Sequence, residues 1–78
     1  MPTNMHEETV AKVVRAERFE VVDAKGRVRA LLDVTDGNPY LGLYDENGKA
    51  RAGLALLPDG RAGLAIIGED GKVLWSIP

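Results

Sequence analysis

The chain contains no cysteine, which excludes disulfides, thiolate metal sites and a cysteine nucleophile. It has one histidine, His6. A metal site needs further nitrogen or sulfur ligands at suitable spacing, and a Ser-His-Asp relay needs a histidine oriented between two partners. His6 sits in a polar stretch beside Glu7 and Glu8 and reads as a solvated side chain. No enzyme activity and no cofactor are expected on these grounds. Long apolar runs are missing too. None approaches the roughly 20 residues a bilayer-crossing helix requires, and Met1-Pro2-Thr3-Asn4-Met5-His6 lacks the basic-then-apolar order of a secretory leader, so no membrane span is expected and the expected location is cytoplasmic. Charge of one sign is lacking as well: ten Lys and Arg face twelve Asp and Glu, interspersed along the chain. A nucleic-acid surface needs a concentrated basic patch to displace phosphate counterions, so nucleic acid is not an expected partner.

What is present is a globular composition, 45% hydrophobic, in 78 residues. Chains this short bury little of their surface and gain stability from disulfides, metals or self-association. With the first two unsupported, self-association is the expected device.

The sequence repeats. Asp23-Ala24-Lys25-Gly26-Arg27-Val28-Arg29-Ala30 is followed by Asp45-Glu46-Asn47-Gly48-Lys49-Ala50-Arg51-Ala52 and by Gly68-Glu69-Asp70-Gly71-Lys72-Val73-Leu74-Trp75. The turn glycines Gly26, Gly48 and Gly71 thus recur every 22 or 23 residues, and Asp36-Gly37 and Asp59-Gly60 fall between them. Each period holds two short strands and two turns. In an Asp-x-x-Gly turn the aspartate caps the backbone, and the glycine takes the positive φ that other residues resist. Leu57-Pro58-Asp59-Gly60 follows the same logic, and Thr35-Asp36-Gly37-Asn38 suits a tight two-residue hairpin.

Side-chain alternation then predicts one apolar face. Before the turns it carries Phe19 and Val21, Leu41 and Leu43, Leu64 and Ile66. After them it carries Val28, Ala30, Leu32 and Val34, then Ala50, Ala52, Leu54 and Leu56, then Val73, Trp75 and Ile77. The opposite face runs from Glu20, Arg27, Arg29 and Asp33, through Gly42, Tyr44, Gly53 and Ala55, to Ala65, Ile67, Leu74 and Ser76. Its falling polarity points to a second contact. Tyr40, Tyr44, Ile67, Leu74 and Trp75 are the candidate contact residues. Residues 13 to 18 are expected to extend the first strand. Residues 1–12 are read as a flexible or weakly helical tail, with Asn4 or Thr3 capping a short helix through Glu7 and Glu8 as one alternative and a frayed end as the other. Residues 13–78 form the single domain.

The acid groups Asp45-Glu46-Asn47 and Glu69-Asp70 lack the alternating acids and closing glutamate of a calcium loop, and their turn role accounts for them. The glycines punctuate strands, whereas a phosphate loop needs strand, glycine loop and helix start in order.

The pattern Arg-Phe-x-Val-x-Asp-x-x-Gly-Arg-x-Arg-Ala-x-Leu, carried by Arg18 to Leu32 and echoed twice, resembles bacterial proteins built from tandem short hairpins, some of them petal-like shallow barrels described as a β-flower. The resemblance covers Ala16 to Pro78 and brings no activity or catalytic residue with it. The third unit departs from the pattern, with Gly68 in place of Asp and Leu74-Trp75 in place of Arg-Ala, which suits a terminal unit.

The expected fold is therefore all-β: three tandem antiparallel β-hairpin repeats forming a small barrel or prism, completed by homo-oligomerisation, with a trimer ahead of a dimer. The expected role is a structural, self-assembling scaffold or interaction module. The alternative is a binding module for a small apolar or carbohydrate-like ligand, held in a central channel or on the Tyr44 face.

Overall fold

The structure of the protein, a computed structural model, describes residues 10–78. His6 and the tail helix expected around Thr3, Asn4, Glu7 and Glu8 lie outside the described residues. Six strands, β1 (Arg18–Val22), β2 (Val28–Thr35), β3 (Asn38–Tyr44), β4 (Ala50–Leu56), β5 (Ala62–Ile67) and β6 (Val73–Ile77), form one antiparallel sheet in which each pairs with its neighbour in sequence. The all-β reading and the three hairpins are confirmed. The sheet is open, with β1 and β6 at its edges.

The turns fall where the repeat placed them. Gly26, Gly48 and Gly71 stand at φ of 82°, 81° and 86°, and each donates its amide to the carbonyl three residues earlier, on Asp23, Asp45 and Gly68. Asp36 and Gly37 both have positive φ, 53° and 80°, the two-residue type I′ geometry that follows the twist of the flanking strands.

Two expectations need correction. Residues 13–17 form no strand. Arg18 already pairs with Asp33, and β2 ends two residues further on at Thr35, so residues 13–15 have no β2 backbone left to pair with. The second correction concerns side-chain direction. Each Gly-turn hairpin carries a register shift: Val21 pairs with Ala30 but Val22 with Val28, Leu43 with Ala52 but Tyr44 with Ala50, and Ile66 with Trp75 but Ile67 with Val73. One extra residue, Arg29, Arg51 or Leu74, is bulged out of each ladder. Simple alternation assumed an unbroken ladder and put Val28, Ala50 and Val73 on the apolar face. The bulge turns them to the other face, beside Val22, Tyr44 and Ile67.

Candidate functional site: two unlike sheet faces

The pairing defines the faces row by row. One row crosses the whole sheet as Phe19, Leu32, Leu41, Leu54, Leu64 and Ile77. The next crosses it as Val21, Ala30, Leu43, Ala52, Ile66 and Trp75. A partial third row pairs Val34 with Pro39 and Leu56 with Ala62. Every side chain in these rows is apolar. None of the large ones is buried, and Leu54 at 47% and Trp75 at 51% relative exposure are representative. The face expected to be a core is built as one, but the described residues leave it uncovered.

The opposite face is a groove. Its floor is small: Gly42 pairs with Gly53, Gly53 with Ala65, and Ala65 with Ser76. Large side chains fold back over this floor. A Cβ on Gly42 would lie 3.0 Å from the Tyr44 hydroxyl and 3.1 Å from its ring Cε1, so the tyrosine ring lies along its own strand over the glycine. Leu57 lies against Gly63 in the same manner, 3.6 Å from the equivalent position. Tyr40 and Tyr44 stand between two hollows. One, of about 440 Å³, runs over the small floor to Leu57, Ile67 and Ser76. The other, of about 560 Å³, is bounded by Arg18, Arg27, Val28 and Leu31. Leu31, at 5% exposure, is the one buried large hydrophobic side chain among the described residues, and it belongs to this face. Burial raises the Tyr44 hydroxyl above the ordinary tyrosine range, and the neighbouring Tyr40 hydroxyl adds to the effect.

The candidate contact residues thus divide. Tyr40, Tyr44 and Ile67 come together in the groove. Trp75 belongs to the apolar face on the other side of the sheet, paired with Ile66. Leu74 packs against Gly68 at the third bulge, with its Cδ2 3.4 Å from where a Cβ would stand, and does not line the groove.

The bulged arginines are structural parts that alternation alone missed. Arg29 Nε donates to the Tyr44 carbonyl at 2.8 Å, and Arg51 Nε donates to the Ile67 carbonyl at 2.7 Å. Each clips one repeat onto the strand of the next. The turn aspartates back them, with Arg29 Nη1 3.7 Å from Asp23 and Arg51 Nη1 3.9 Å from Asp45. The signal was in the repeat: both arginines stand three residues after a turn glycine. In the third unit the same position is Leu74 and the aspartate position is Gly68, and β6 is the last strand among the described residues.

The turn carboxylates are held ionised. Asp23 loses some hydration, which pulls its pKa upward, but hydrogen bonds from the Arg27 and Lys25 amides and the Arg27 guanidinium outweigh this and leave it below the ordinary carboxylate value. Asp45 is lowered chiefly by the Lys49 amide, then against some desolvation by the Asn47 amide and the Arg51 charge. Among the described residues no three of His, Cys, Asp and Glu converge on a point, and no helix is long and apolar enough to cross a membrane.

Comparison with protein families, with curated proteins and with solved structures finds no match.

Proposed function

We propose that this protein is a non-enzymatic, self-assembling β-repeat module that acts as a scaffold or interaction domain, in which copies of the chain close around a shared apolar core. The observation that carries this reading is the uninterrupted apolar face, with Phe19, Leu41, Leu54, Trp75 and Ile77 all exposed in the single chain. Monomers rarely leave a contiguous apolar patch of this extent in water. At about 25 cal/mol per Å² from each copy, covering a few hundred Å² offsets an association cost of order 10 kcal/mol. The tandem-hairpin resemblance agrees with this reading, and so do the charged turns, which place water-seeking groups at the strand ends and leave the face free of them.

The test is a concentration series by light scattering. The proposal expects a mass above one chain down to low micromolar concentration, and a folded monomer there contradicts it.

A second reading has one observation of its own. The groove hollow of about 440 Å³ falls in the range of small-molecule sites, and its aliphatic and glycine lining with two tyrosine hydroxyls suits an apolar or sugar-like ligand. Such a ligand raises thermal stability with the logarithm of its concentration once this exceeds the dissociation constant, and a screen of alkyl glycosides that leaves the melting temperature unchanged counts against this reading.

A further inference from the structure

The apolar face carries a pattern that specifies its own partner. Its row Val21, Ala30, Leu43, Ala52, Ile66 and Trp75 alternates large and small across the central strands: Ala30 is small, Leu43 large, Ala52 small and Ile66 large. The sheet has an even number of strands, so its midline runs between β3 and β4. A two-fold axis parallel to the strands, lying over that midline, sets β3 against β4, β2 against β5 and β1 against β6 of a second copy while keeping each row at its own height. Leu43 of one copy then faces Ala52 of the other, and Ala30 faces Ile66. Every central knob of this row meets a hole, and each such contact occurs twice, while in the neighbouring row leucine meets leucine, Leu41 facing Leu54 and Leu32 facing Leu64.

We propose that two copies of the chain pack apolar face on apolar face about this axis, as a β-sandwich of two six-stranded sheets. The proposal rests on the self-assembly reading above and adds the partner's number, face and register. A face with no charge in any of its rows has nothing to pair with the charged remainder of the molecule, and its equal in chemistry and outline is the same face of another copy. Isologous pairing of this kind is the commonest symmetry of soluble oligomers.

Size points the same way. Six strands about 4.8 Å apart and three side-chain rows give a footprint of roughly 600 Å² before side-chain relief. That is close to the roughly 800 Å² each partner brings to a stable interface of standard size.

The same dimensions put two copies ahead of the three expected from the sequence. Sheets of a sandwich lie about 10 Å apart, so each stands about 5 Å from the midplane and the leucine row fills the gap. Three flat sheets of this width around a three-fold axis would each stand about 8 Å from it, beyond the reach of Leu41 and Leu54, and an apolar hollow would run down the axis.

The register gives a test that a merely destabilised fold cannot imitate. Ala52→Leu sets leucine against leucine at the two-fold contact, and Leu43→Ala sets alanine against alanine. Each variant alone is expected to shift towards monomer in sedimentation velocity. Mixed in equal amounts, the two are expected to regain the wild-type dimer, because each leucine at position 52 then faces an alanine at position 43 of the other chain. Mixing cannot repair a contact within one chain. Loss of assembly in both variants without recovery on mixing overturns the register, as does a wild-type-like dimer for both variants alone. If either variant is unfolded by circular dichroism, Leu43→Val and Ala52→Val make the same comparison with a smaller change. A wild-type mass of three chains overturns the sandwich and leaves self-assembly standing. A wild-type monomer removes both.

Discussion

The two faces of one sheet use the same strands and opposite solutions. The groove face covers its middle: Tyr44 lies over Gly42, Leu57 lies over Gly63, and Leu31 is buried within the chain, while Val22 and Val73 towards its edges stay exposed. The apolar face has larger side chains, and among the described residues nothing lies above them. A backbone that places glycine where a neighbouring ring or leucine can fold down covers part of that side from within the chain. A backbone that places leucine in a continuous row leaves that side open. The contrast separates what one chain covers from what, under the proposed self-assembly, a second copy covers.

Two neighbours in β4 point to opposite faces and separate them by the largest effect. Leu54→Asp puts a charge in the middle of the apolar row, where assembly would desolvate it without a partner, and is expected to abolish assembly and folding together, by light scattering and circular dichroism. Ala55→Asp, one residue on, points into the groove, where water reaches it, and is expected to keep the assembly.

Gly48→Val forces a β-branched residue to φ near 81° and is expected to cost about 1–3 kcal/mol in denaturant unfolding, with the assembled mass unchanged at low denaturant. Gly42→Ala, which requires the Tyr44 ring to shift, is expected to cost about 1–2 kcal/mol and to bring the Tyr44 titration back towards the ordinary tyrosine range. Arg51→Met leaves the Ile67 carbonyl without its clip and is expected to cost about 1 kcal/mol, while Leu74→Met, where no clip exists, should be close to neutral. The smallest effect is in acid. Asp23 and Asp45 have folded values below the ordinary 3.8, so their contribution is fully present above about pH 4 and is lost as pH falls through the lowered values. Asp23→Asn with Asp45→Asn should flatten that part of the stability profile.

Much of the architecture was legible because turns are local. The positive φ at Gly26, Gly48 and Gly71 and the type I′ pair Asp36-Gly37 follow from residue chemistry within four positions, and they fix strand number and order. The bulges were not legible from alternation, because an extra residue at Arg29 or Arg51 changes no local composition. It shows only as an arginine standing three places after Gly26 and again after Gly48, and its meaning depends on a carbonyl 15 or 16 residues away. That omission misplaced Val28, Ala50 and Val73. The candidate site was legible in part for the same reason. Tyr40, Tyr44 and Ile67 lie on one face as strand parity requires, whereas Trp75 never shared it, since its core parity already put it on the other side. The back-folding of Tyr44 and Leu57 onto glycine depends on rotamers that no spacing encodes.

Under the proposed self-assembly the apolar face is covered in solution, and Trp75, the only tryptophan, stands on that face at the β6 edge. Acrylamide quenching of its fluorescence, followed from high to low protein concentration, tests this most directly. The account predicts a shielded, blue-shifted indole that becomes quenchable and red-shifted as the assembly dissociates. An indole equally open to acrylamide at every concentration, in a protein that stays folded, would contradict it.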